Sequence, residues 1–108
     1  MKGVRLLTLG LLYLTTIARG EVYRVGPDRD IKSISEIADK LKPGDTVQLD
    51  PYIYNEGFRL TRSGMADTPI IVQGASDRYA PKRGVAVFDG TGLDVEELIV
   101  IEGSHIIL

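Results

Sequence analysis

The stretch "LKPGDTVQLDPYIYNEGF", Leu41–Phe58, stops one kind of backbone and starts another within a few residues. Leu41-Lys42-Pro43-Gly44 ends a helical period, because proline brings no N–H to the ladder and pushes the residue before it out of helical geometry. "TVQL", residues 46–49, then opens a β-type pattern. Asp50-Pro51 leads into a turn in which Tyr52 stands where glycine would fit more readily, and a Cβ there implies either a different turn type or local strain.

Upstream, "IKSISEIADKL" places Ile34, Ile37, Ala38 and Leu41 at the spacing of one helical face. Ser33 followed by Glu36 fits a capping box, so a short amphipathic helix with one apolar side is expected. Before it, "EVYRVG" alternates apolar and polar residues and is closed by Gly26-Pro27-Asp28, the pattern of a short strand and turn. Downstream of Thr46 the period changes for good. "TVQL", "GFRL", "PIIVQG", "VAVFDG", "ELIVIEG" and "HIIL" are short runs rich in Val and Ile and punctuated by turn residues. "VQL", "IIV" and "IVI" recur at roughly 23 to 30 residues, within the periods of solenoid units. The looseness of that repeat leaves a β-sandwich edge, a small barrel and a β-solenoid open. Short, continuously apolar runs favour strands stacked on like strands, and one apolar helix face suits the lid such a stack needs at its end.

The first twenty residues read as separate from the fold. "MKGVRLLTLGLLYLTTIARG" has Lys2 and Arg5 at its start, an apolar run Leu6–Leu14, and the small-x-small triplet Ala18-Arg19-Gly20 before Glu21. That is the build of a cleaved secretory signal over residues 1–20, leaving 21–108 as the mature segment, secreted, periplasmic or extracellular. The apolar run is short of the roughly 20 residues that span a bilayer, so no stable membrane anchor is expected after cleavage. With no cysteine in 108 residues, a disulfide framework and a thiolate zinc site are excluded. The net charge of −2 is spread over interspersed residues, and neither a nucleic-acid footprint nor a polybasic membrane patch is visible.

In order, the apolar cap helix, "KPGDTVQL", a "P-x-x-Y" turn, "SG-x-A-D-x-P-I-x-V", "VFDG" and "IEGSHIIL" resemble the amino-terminal portion of right-handed parallel β-helix proteins of the pectate-lyase-like superfamily. Within that group the chain looks most like the polysaccharide lyases that act on alginate or dermatan, and exported β-helix proteins near them. The resemblance covers nearly all of residues 21–108 and rests on the order of the motifs. It implies a mostly β fold, the start of a parallel β-helix with one N-terminal amphipathic capping helix. Most members have glycine where this chain has Tyr52, and many have threonine where it has Met65. Because "IVIEGSHIIL" is apolar to its last residue, whereas a finished solenoid needs a polar terminal cap, the sequence is expected to be the leading piece of a longer β-helix.

In the lyases a basic residue accepts the proton, often with a calcium ion or a further basic group on the uronate carboxylate. No residue of 21–108 matches those positions, so no catalytic residue, no metal ligand and no cofactor is assigned to this segment, and calcium is implied only for fuller relatives. The local candidates are weaker. "DGTGLD", Asp89–Asp94, is half of a calcium-binding nonapeptide that works only in tandem, and the simpler reading is a turn in which Gly90 and Gly92 supply unusual backbone angles. His105, the only histidine, opens an apolar strand without a Ser, Cys or second ligand beside it. Asp28, Asp30 and Asp39 would have to pair for glycosidase chemistry, and solvation explains them better. Arg59, Arg62, Arg78, Lys82 and Arg83, with Tyr54 and Tyr79, would grip a carboxylated sugar if successive strands brought them together, with substrate-binding residues otherwise unassigned.

Three functions follow as expectations. One is the cap and first coils of an exported β-helix whose complete form performs β-elimination on a uronate-containing polysaccharide, this segment being inactive. The second is a non-enzymatic extracellular β-helix for glycan binding, adhesion or display. The third is a small secreted sugar-binding domain built on Tyr54, Tyr79 and the arginines.

Overall fold

The computed structural model describes residues 20–75 and 84–108. The signal segment, apart from Gly20, and Arg78, Tyr79, Lys82 and Arg83 lie outside the described residues.

The described residues are mostly β, with strands β1 (Val22–Val25), β2 (Thr46–Leu49), β3 (Tyr52–Tyr54), β4 (Phe58–Leu60), β5 (Ile70–Gly74), β6 (Ala86–Phe88), β7 (Ile99–Ile101) and β8 (Ile106–Ile107). They form three sheets, β1-β2-β5-β8, β3-β6 and β4-β7. All five pairings are parallel and in chain order. In the first sheet Tyr23, Val47 and Val72 stand in one row, and Val25, Leu49 and Gly74 in the next. Alternation sends Val25, Val47, Leu49 and Val72 inward, where they meet Tyr54, Phe58, Leu60 and Ile70 in one core. The outward row of the same strands is Arg24, Gln48 and Gln73.

The segment expected to be an amphipathic α-helix is two 3-10 turns, Ile34–Glu36 and Ala38–Lys40, interrupted at Ile37 with φ −122° and ψ −2°. The capping box itself forms: Ser33 accepts from the first turn and Glu36 reaches back to the Ser33 amide. Ile34, Ile37, Ala38 and Leu41 are all buried, so the apolar side is placed as expected while the backbone is not. The reason is local competition. A helix this short pays the full nucleation cost, and the serine hydroxyls bond elsewhere, Ser33 Oγ to Glu56 Oε1 at 2.6 Å and Ser35 Oγ to the same carboxylate at 3.4 Å. Both turns pack on β4, and Arg62 Nε donates to the Leu41 carbonyl at 3.0 Å.

Tyr52 needs neither a left-handed turn nor strain. It begins β3, and His105 is the sole non-glycine residue with positive φ among the described residues. Gly44, at φ 88°, supplies the turn that precedes β2.

Candidate functional site

Sequence position alone makes Tyr54 a sugar-stacking candidate, and the structure assigns it to the core. It is buried on β3, opposite Phe88 on β6. The two rings stack with centroids 5.1 Å apart, Phe58 meets Phe88 edge-on at 5.0 Å, and Tyr52 meets Tyr54 edge-on at 5.1 Å. The Tyr54 hydroxyl donates to the Asp50 carbonyl at 2.8 Å, with the Val25 carbonyl 3.3 Å away. Burial pushes its pKa up to about 12, helped by the charge of Asp50. A buried ring stacked on Phe88 and tied down at its hydroxyl has no surface left for a sugar.

The two described arginine candidates are each engaged by a different partner. Arg62 closes the second 3-10 turn, while Arg59, on the outward side of β4, forms an exposed ion pair with Glu102. Beside that pair lies a shallow cleft of about 370 Å³, lined by Arg59, Val95, Glu96, Glu97 and Val100. Its charge balance is acidic, and it does not suit a uronate carboxylate.

Asp89 is engaged in its own turn, accepting from Thr91 N at 2.9 Å and Thr91 Oγ1 at 2.6 Å, which holds its carboxyl below the usual range. Asn55 Nδ2 donates to the carbonyls of Asp89 and Thr91 and fastens this turn to the strand beneath. Gly92 has φ 81° as that turn requires, whereas Gly90 does not enter the left-handed region. His105 occupies a corner, exposed, with φ 54°, and its carbonyl accepts from Ile70 N at 3.1 Å. Asp28, Asp30 and Asp39 are exposed. Among the described residues no group of three or more His, Asp or Glu is placed to hold a metal ion, and no helix is long and apolar enough to cross a membrane.

Two charged groups that the sequence reading passed over are the buried ones. Asp50 is paired with Arg29, Oδ2 to Nε at 2.8 Å, and that bond raises the Arg29 pKa further. Asp45 accepts from Glu21 N and Lys42 N, both at 2.8 Å. The signal lay in their positions, each an aspartate at a strand boundary next to Pro or Gly, and for Asp45 the nearby Lys42 amide is captured as such a position allows. Gln48 adds a third buried polar atom: its Oε1 has no hydrogen-bond partner among the described residues.

A second concavity, of about 510 Å³, lies where the core opens beside β5, β6 and β7 and is lined by Leu49, Phe58, Val72, Phe88 and Ile99 among others. Its lining among the described residues is mainly apolar and includes no nucleophilic, acidic or basic side chain. No protein-family model, curated protein or solved structure matches the chain.

Proposed function

We propose that residues 21–108 are the leading end of an exported parallel β-helix of the polysaccharide-acting kind, in which this segment is scaffold and any lyase-type β-elimination on uronate-containing glycan is performed by further coils. The observation that carries the reading is the cyclic order of the strands. The chain visits the first sheet, then the second, then the third, and returns to the first, always parallel and in register. Register partners lie from 24 residues apart (Val22 and Thr46) to 41 (Phe58 and Ile99), an uneven spacing that stays within the range of about 20–50 residues for repeat units. The 3-10 segment packed on β4 supports a cap at the starting side. Export is read from the leader-like residues 1–20.

A second reading, glycan binding or display without catalysis, is favoured by the outward row of Arg24, Gln48 and Gln73, a polar ladder in register on one sheet face. The Gln48 oxygen that lacks a partner belongs to this row. Incubating the exported chain with alginate, pectate and dermatan sulfate separates the readings. Scaffold alone gives no unsaturated product absorbing in the near ultraviolet and no cosedimentation with the polymers. Retention on a glycan that is lost on Gln48→Ala and Gln73→Ala supports display, and unsaturated product refutes the scaffold role.

A further inference from the structure

The two buried aspartates are not equivalent. Asp50 has a guanidinium. Asp45, only 1% exposed, is met by two backbone amides, and no cationic side chain among the described residues pairs with it. A carboxylate taken out of water is costly without a countercharge, and neutral amides compensate it in part. One of those amides belongs to Glu21, the residue that follows the Ala18-Arg19-Gly20 triplet. Its nitrogen lies 2.8 Å from Asp45 Oδ1, and its carbonyl accepts from Thr46 N at 2.8 Å, so the first residue of the mature segment is already fastened to the Asp45-Thr46 corner.

We propose that hydrolysis of the Gly20–Glu21 bond supplies the missing countercharge: the α-ammonium freed on Glu21 forms a buried ion pair with Asp45 and locks the first strand in place. The reactants are water and a leader peptidase. Water adds at the Gly20 carbonyl, the C–N bond breaks, Gly20 departs as a carboxylate, and the Glu21 amine takes up the proton that makes it an ammonium at neutral pH. The heavy atoms at the corner need not move, because the nitrogen that donated as an amide donates as a cation, in a charge-assisted bond about twice as strong. Gly20 itself fits tightly, since a Cβ there would stand 2.1 Å from the Gly44 carbonyl oxygen. The small residue that suits the peptidase is thus also the one the fold tolerates in the uncleaved chain. Asp45 becomes the receptor for a new chain terminus.

This inference rests on the export reading, and the experiment separates their failures. The full chain is expressed in a secreting host and the product weighed intact. A product beginning at Glu21 is expected; one that retains residues 1–20 overturns both ideas, and one that is cleaved elsewhere overturns the ion pair while leaving export standing. The α-amine of the product is then acetylated at neutral pH, native and in urea, with the lysine side chains as internal reference. The native amine should react at least about tenfold more slowly than the unfolded one, and Asp45→Asn should remove most of that protection. Equal rates overturn the ion pair while leaving export standing. Should Asp45→Asn not fold, the wild-type product acetylated while unfolded decides. Removing the charge should lower its folding equilibrium constant by about tenfold, which is ~1.4 kcal/mol, and an unchanged urea midpoint refutes the pair.

Discussion

Residues that share a pleat position in neighbouring strands have very different surroundings in the two halves of this fold. Phe58 on β4 is 7% exposed and its register partner Ile99 on β7 is 41%; Leu60 is 1% and its partner Ile101 is 39%. The chemistry of the side chains is the same. What differs is cover: β4 lies beneath the 3-10 segment on one side and β7 on the other, whereas β7 has one strand neighbour among the described residues. Among the described residues the covered half also holds the buried polar contacts of Asp45, Asp50 and the Tyr54 hydroxyl. Burial and polar anchoring are therefore concentrated at one end, and equal substitutions at the two ends should not have equal effects.

The largest difference is expected from truncation. Tyr54→Ala deletes a buried ring, its stack on Phe88 and its hydroxyl bonds, and should cost about 3–5 kcal/mol. Ile99→Ala, at an equivalent inward position of the open half, should cost below about 1 kcal/mol because much of the side chain already meets water. Urea denaturation of both variants measures this, and similar costs would erase the distinction between the halves.

Next comes an alkaline loss confined to the covered half. The Tyr54 pKa, about 12 when folded against 10.0 for the free group, means that the neutral phenol stabilises the fold. That contribution is complete below pH 10 and is lost as pH rises through about 12. At 1.36 kcal/mol per unit the full loss is about 2–3 kcal/mol. Tyr54→Phe should flatten most of the decline between pH 10 and 12, at the expense of its hydrogen bonds. Tyr23, raised chiefly by burial with smaller contributions from Asp45 and Glu21, leaves a residue of the same sign.

Smaller again is the effect of adding a methyl group where the halves meet. A Cβ at Gly57 would lie 2.2 Å from the Leu98 carbonyl oxygen, the group that accepts from Phe58 N at 2.9 Å. Gly57→Ala should cost about 1–3 kcal/mol through that displaced rung. Gly74→Ala, with nothing within 4 Å of the added atom, should stay within about 0.5 kcal/mol.

Strands were legible in the sequence because their signal is local. Each apolar run read as a strand contains one, from "EVYRVG" with β1 to "HIIL" with β8. The strand overlooked is β3, whose Tyr52-Ile53-Tyr54 follows a proline and resembles a turn. Helical spacing at residues 34–41 recorded which side chains are buried but not the hydrogen-bond pattern, since a 3-10 path buries the same four residues. The site candidates fared differently because contact between strands decides them. Tyr54 is stacked in the core by Phe88, thirty-four positions later in register, and Asp45 matters through Glu21, which lies in another strand's approach.

The smallest stability effect, and the most informative about the open half, is expected from a charge on its outer strand. Val87 is 41% exposed at the centre of β6, outward-facing beside Ile53. A lysine there touches no buried partner, so Val87→Lys should change stability by less than about 0.5 kcal/mol. An apolar strand with an unpaired edge is a template for another chain, and a lysine on it opposes that pairing. Concentration-dependent light scattering should therefore fall in Val87→Lys while the urea midpoint holds. If instead the midpoint drops as it does for Tyr54→Ala, β6 is covered in solution, and the asymmetry between the two halves belongs to the described residues and not to the folded protein.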